Sequence, residues 1–368
     1  MRTLMRLVVV AVLGWYGDWV HGDQPREIPL DIRSGPVAAP AIDAGSTPVV
    51  LFSTSVHAPQ ASSIRVRFGA TQLPQPAPIG RPASESGAFI SLTSAFDGAV
   101  QELSGRNIVE WVHTSAYFNG DEVRVELLAR PGSAPAAIEI TSAVVPAPGG
   151  HTDTLCGSDD RVSSQDPFTA RFLVGGGVCS AFLFNQGSCF MTAGHCGLAL
   201  LSAGVMEFNV PPSLACNNLQ HPPPADQYAT DPLTARGAPN ISQQLGVEDW
   251  QIVGVFANST TGQTPFQRQQ GHHQIATHTP AGNAQLRITG FGESTSVPAR
   301  CFADQTATGP RVPTNFWWPA SYYLCYTVDT TGGNSGSPVI DVSTGTVVGI
   351  HTSGSCGVSP LSANGAMP

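Results

Sequence analysis

The sequence predicts an all-β chain in which a small β-sandwich precedes a pair of antiparallel barrels. Three observations predict it. Charged residues make up only 12% of the 368 positions, while 39 glycines and 31 prolines supply turn residues in numbers that suit strands and tight loops better than helical bundles. Short runs of period-two alternation recur between those turn residues. All eight cysteines fall at or after Cys156, so the two halves of the chain are built under different constraints.

The first 22 residues read as a signal peptide. Arg2 and Arg6 provide positive charge, Leu7 to Leu13 an apolar core, and Val20-His21-Gly22 small residues at the −3 and −1 positions of a cleavage site. That apolar core falls short of the ~20 residues a membrane-spanning helix needs, so a secreted protein (extracellular or periplasmic) with no membrane association after signal removal is expected. Residues 23–60 are rich in Pro, Ala and Ser and read as a flexible leader. Residues 61–150 carry the alternating runs Ile64-Arg65-Val66-Arg67-Phe68, Glu122-Val123-Arg124-Val125-Glu126-Leu127 and Ile138-Glu139-Ile140, with a turn at Asn119-Gly120-Asp121. They read as a cysteine-free β-sandwich, either propeptide or binding module, ending in the linker Val144-Val145-Pro146-Ala147-Pro148-Gly149-Gly150.

Residues 151–368 hold apolar runs at Cys179 to Phe184, Cys189 to Thr192, Gln251 to Phe256, Gln285 to Ile288, Val339-Ile340 and Val347 to Ile350, enough for one barrel pair. An even number of cysteines in an exported half points to disulfides, and the absence of C-x-x-C weakens a zinc or redox reading. His272, His273 and His278 have no carboxylate or cysteine at ligand spacing and read as a polar loop, so no metal or other cofactor is expected. A net charge of −9, with 17 basic against 26 acidic residues and no Lys/Arg block, leaves no electrostatic footprint for nucleic acid. Asn240-Ile241-Ser242 and Asn258-Ser259-Thr260 match the glycosylation sequon.

The residues that carry chemistry lie in this second half. Asp329-Thr330-Thr331-Gly332-Gly333-Asn334-Ser335-Gly336-Ser337-Pro338 surrounds a serine with residues lacking a Cβ. A nucleophile approached by a peptide carbonyl needs that, because backbone N–H groups must converge on the developing oxyanion. Ser335 is therefore the candidate nucleophile, with the N–H groups of Gly333 and Ser335 as oxyanion donors. His195, in Thr192-Ala193-Gly194-His195-Cys196, is the candidate general base, because an imidazole can both accept and return a proton near neutral pH. Asp249 is the candidate orienting carboxylate, because the run Ile252-Val253-Gly254-Val255-Phe256 behind it reads as a buried strand; Asp226, Asp231 and Asp304 are rivals.

With His195, Asp249 and Ser335 in that chain order, the sequence resembles the trypsin/chymotrypsin-like serine protease superfamily. The closest resemblance is to its bacterial glutamyl-endopeptidase (V8-like) branch, whose serine motif likewise reads Gly-Asn-Ser-Gly-Ser-Pro. The resemblance covers residues 156 to 357. It implies a chymotrypsin-like double antiparallel β-barrel, with His195 and Asp249 on the first barrel and Ser335 on the second. It also implies a disulfide between Cys179 and Cys196, and a pocket for a substrate glutamate built on Thr330 and His351. The activity implied is that of a monomeric, secreted serine endopeptidase made as a precursor and acting on proteins or peptides. The rival is a secreted binding or adhesion protein with a silent protease-like half. Asn334 stands where trypsin has the acid that pairs with its new N-terminus, so activation by cleavage after Arg161 or in the 144–155 linker is expected to work differently. Leu173-Val174-Gly175-Gly176 mimics such an N-terminus but lies too close to Cys179 to be one.

Overall fold

The structure, a computed structural model, describes residues 25–40, 47–145, 153–199, 204–238, 248–294, 296–312, 324–354, 356 and 363–368. The expected signal peptide, the sequon at Asn240 and residues 146–150 of the expected linker lie outside the described residues.

Eight strands build the N-terminal half: β1 (Arg26–Arg33), β2 (Val49–His57), β3 (Ser63–Phe68), β4 (Ala88–Ser94), β5 (Val100–Leu103), β6 (Phe118–Asn119), β7 (Glu122–Ala129) and β8 (Glu139–Val145). They form two four-stranded antiparallel sheets, in the orders β1-β8-β3-β6 and β2-β7-β4-β5. Alternation along each strand sends Ile64, Val66, Ile90, Leu92, Val125 and Leu127 into one shared core. The expectation of a flexible leader over 23–60 is corrected by β1 and β2, which are edge strands pairing with β8 and β7. Ile28, Leu30 and Ile32 alternate toward the core, and an edge position tolerates Pro29 because its missing N–H costs no ladder bond there.

Two short strands, β9 (Asp153–Thr154) and β10 (Val162–Ser163), lead into the first barrel. That barrel comprises β11 (Thr169–Val174), β12 (Gly177–Leu183), β13 (Cys189–Thr192), β14 (Val205–Glu207), β15 (Gln227–Ala238) and β16 (Trp250–Val255), closed in the order β11-β12-β13-β16-β15-β14. The second contains β17 (Gln285–Gly290), β18 (Gln305–Val312), β19 (Leu324–Tyr326), β21 (Pro338–Asp341), β22 (Thr346–Ser353) and β23 (Asn364–Met367), preceded at its serine loop by the two-residue β20 (Thr330–Thr331). Its order β18-β17-β21-β22-β23-β19 returns to β18 through the β18–β19 pairing. The protein is thus all-β, a chymotrypsin-like double barrel preceded by a sandwich. Phe172, Phe190, Met206 and Tyr228 fill the first barrel, and Leu286, Ile288, Tyr326 and Val339 the second. Phe182 and Ile350 meet in a seam cluster between them. Leu173-Val174-Gly175-Gly176 is the β11–β12 hairpin, its two glycines at φ 59° and 85°.

The sandwich is fastened to the first barrel. Val205 and Ala229 belong to the sandwich core cluster. Gln227, fully buried, accepts from Tyr117 N at 2.9 Å and donates to Tyr117 O at 2.8 Å. Asn119 makes a similar pair with the His221 backbone, at 2.8 and 2.9 Å. His221 stacks on Tyr117 and pairs with Glu207, which also holds Arg171; both charged partners are fully buried. Asn258 is buried too, its amide donating to Pro224 O and Gln227 O, so this second sequon presents no accessible acceptor.

Candidate active site

His195 sits in the 3₁₀ turn Gly194–Ala199 that follows β13. Ala193 packs into the barrel core before it, and the Cys179–Cys196 disulfide ties it to β12 behind. Because β13 pairs with β16 in a register that sets Thr192 opposite Gln251, the residues just beyond each strand end, His195 and Asp249, lie side by side. The Asp249 carboxylate, 2% exposed, accepts from His195 N at 2.8 Å through Oδ1 and pairs with His195 Nδ1 at 2.7 Å through Oδ2. A carboxylate only accepts, so Nδ1 carries the ring proton and Nε2 is left as the basic nitrogen. The rival aspartates are engaged elsewhere. Asp226 is held by Arg268 and Asn209, Asp231 caps its own turn at Leu233 N, and Asp304 accepts from Asp166 N. Burial pushes the Asp304 carboxyl up to about 7.

The serine loop hangs between the barrels. Ser335 O accepts from Ser180 N of β12 at 2.8 Å, and Ser180 Oγ donates to Gly333 O at 2.9 Å. Gly336 N donates to His351 O. Gly333 and Gly336 lie at φ 99° and 91°; a Cβ would strike Phe291 O at the first and Ser180 O and Thr192 Oγ1 at the second. Asn334 N and Ser337 N are spent on acceptors within the loop and Gly336 N on His351 O, whereas the N–H groups of Gly333 and Ser335 donate to no acceptor among the described residues. Cys196 Sγ lies 3.8 Å from Ser335 O, so the His195 turn and the serine loop are in contact. No hydrogen bond joins Ser335 Oγ to His195 in this conformation.

Thr330, in β20, and His351, in β22 of the second barrel, are both buried. Asn364 Nδ2 donates to Thr330 Oγ1 at 2.9 Å, and Tyr326 Oη pairs with His351 Nδ1 at 2.7 Å. Burial, with a smaller push from His195, drives His351 down to about 3, so its ring is neutral at physiological pH. Asn364, Tyr326 and Ser180 carry no sequence signal for these contacts, since each acts on a residue far away in the chain and on an element its own strand does not pair with. Besides Cys179–Cys196, disulfides join Cys156 to Cys356 and Cys216 to Cys301, while Cys189 and Cys325 stay free. The expectation of disulfides in this half is met by three bridges that use six of the eight cysteines. His273 of the polar His cluster is buried against Phe168 and Phe182 and bonds Thr169 and Asp166. Each of the two candidate ligand clusters among the described residues contains a disulfide pair, whose sulfurs are not thiolates. No helix among the described residues is long and apolar enough to cross a membrane.

A family model described as Peptidase S46 matches residues 251–356, a segment that includes Ser335 and His351. That model is distinct from the glutamyl-endopeptidase branch the serine motif resembles. No curated protein matches the chain. Among solved structures, the chain is similar to a thermostable serine protease, AL20, from an extremophilic microorganism, at 16% identity and a TM-score of 0.41, covering 55% of this chain and 89% of that one.

Proposed function

We propose that the protein is a secreted serine endopeptidase. Ser335 Oγ attacks the scissile carbonyl while His195 Nε2 takes its proton, and Asp249 stabilises the imidazolium that forms. The N–H groups of Gly333 and Ser335 receive the oxyanion. His195 then returns the proton to the leaving amine, and water releases the acyl group by the reverse sequence. The observation that carries this reading is the two-point grip of Asp249 on His195, set against a serine loop whose Gly333 and Ser335 N–H groups are uncommitted. A grip on both the backbone and the ring fixes one tautomer and one orientation, which a merely structural histidine does not need. An organophosphonate should label Ser335 in the wild type and not in Ser335→Ala. A folded wild type that stays unlabelled, intact and after linker cleavage, would leave the rival reading of a silent binding protein.

For specificity, we infer a preference for glutamate at P1. His351 contributes a neutral imidazole whose Nδ1 is occupied by Tyr326. When the tyrosine hydroxyl donates, the ring proton resides on Nε2, and the pocket offers a hydrogen-bond donor without fixed positive charge. Glutamate binding is then coupled to proton uptake by His351.

A further inference from the structure

Arg161 takes no part in the mechanism above, yet its side chain is only 3% exposed and ends against the serine loop. Nη1 donates to Thr331 Oγ1 at 2.6 Å and to Glu293 O at 2.8 Å. Nε and Nη2 grip the two carboxylate oxygens of Asp159 at 2.9 and 3.0 Å. The fork thus satisfies a bidentate anion on one side and reaches the loop with the other.

From Thr331 the contact continues to the nucleophile. Thr331 N donates to Asn334 Oδ1 and Asn334 N returns to Thr331 O, both at 3.0 Å, and Asn334 immediately precedes Ser335. Glu293 N holds the same loop from its other flank by donating to Gly332 O at 2.9 Å. A Cβ on Gly292 would collide with Asn334 Oδ1 and Thr331 Oγ1, so guanidinium, threonine and asparagine close around that glycine without spare room. A loop containing Gly332, Gly333 and Gly336 has little conformational preference of its own and must be ordered from outside.

The chain around Arg161 is knitted to the same place. β9 pairs with β20, β10 pairs with β18, Cys156 N and Asp160 N both donate to the Asp329 carboxylate, and Cys156 is bonded to Cys356. A bond next to so deeply buried a side chain is poorly placed for a processing protease, which corrects the expectation of cleavage after Arg161.

We propose that Arg161 is a positioning residue: its guanidinium clamps Thr331, and through it Asn334, so that Ser335 and its oxyanion donors are held in reactive geometry in a chain uncut at Arg161. The proposal rests on the serine-peptidase reading. The test uses the full secreted protein with Arg161→Ala and Arg161→Lys, reading phosphonate labelling of Ser335, kcat and KM on a peptide, thermal melting, and the N-terminus of the labelled chain. Labelled wild-type chains should be uncut after Arg161. Arg161→Ala should still melt cooperatively but lose about 10²–10³-fold in kcat, the scale of a displaced oxyanion donor, with KM within roughly threefold. Guanidinium at ~20 mM should restore at least ~10-fold of that loss, and Arg161→Lys, which keeps the charge but not the fork, should lose at least ~10-fold.

Unchanged kcat in either folded variant would overturn the proposal, as would losses of kcat and melting temperature in parallel with no rescue by guanidinium. Labelling confined to chains cut after Arg161 would do the same. If Arg161→Ala does not fold, Arg161→Lys decides alone. A wild type never labelled at Ser335 removes the peptidase reading itself, and the proposal with it; labelled wild type with insensitive variants removes only the proposal.

Discussion

Two peptides differing only by Glu or Gln at P1, cleaved from pH 5 to 8, test how His351 would recognise a carboxylate. In the free protein burial and His195 hold His351 near 3, so the ring begins uncharged. A substrate carboxylate ~4 Å from the imidazole contributes about 4 kcal/mol at an effective dielectric of ~20. That is worth about 3 pKa units, which carries the bound-state value to ~6. Below that pH the glutamate meets an imidazolium; above it the pocket must take an anion with a neutral donor. Glutamate binding therefore takes up a proton between the free value near 3 and the bound value near ~6, and kcat/KM for the Glu peptide should fall by up to about tenfold per pH unit as pH rises toward ~6 and level off above it. The Gln peptide needs no such proton. Any pH dependence of the shared catalytic steps acts on both substrates and cancels in their ratio. The observable is thus the Glu/Gln ratio of kcat/KM, which should fall about fivefold from pH 5 to 6 and level off toward pH 8. A ratio that stays flat across this range would refute proton-coupled recognition, and a flat ratio of one would remove the glutamate preference as well.

Two further outcomes concern stability. Asp304 is buried with Oδ1 lacking a hydrogen-bond partner, and its carboxyl lies near 7 against an ordinary value of 3.8. It stays protonated in the folded state while the unfolded chain ionises, so stability is lost as pH rises from about 4 to 7, by up to about 4 kcal/mol. Asp304→Asn should melt several degrees above wild type at pH 8 and at the same temperature at pH 4; an equal offset at both would show that the carboxyl is not the cause. Removing residues 1–150 strips Val205 and Ala229 of the sandwich core they share and Gln227 of Tyr117. The remaining barrels should lose cooperative melting or melt at least ~10 °C lower. A truncated protein with wild-type melting would mark the sandwich as a dispensable propeptide.

Much of the candidate site was legible because its demands are local. Gly333 and Gly336 are glycines since their φ values and the atoms behind them exclude a Cβ, and that need is visible in the motif. β12, β13, β16, β17, β21 and β22 were visible as apolar runs between turn residues, whereas β11, β14, β15, β18, β19 and β23 were not singled out. By contrast, Arg161 sits in the polar run Ser158-Asp159-Asp160-Arg161 and reads as an exposed processing site. Nothing local announces that its partner is Thr331, 170 residues away. The composition of residues 23–60 likewise hid β1 and β2, whose order comes from pairing with β8 and β7.

The sequence by itself therefore determined the all-β class, the candidate serine between glycines and the candidate histidine upstream, because backbone conformation and strand alternation are written residue by residue. Tertiary structure alone decided which aspartate faces His195, that His351 is uncharged, and that the segment before the first barrel is strapped under the serine loop. Those are properties of burial and of contacts between distant residues. Desolvation, register and a shared hydrogen-bond network come into being only when the barrels close against one another.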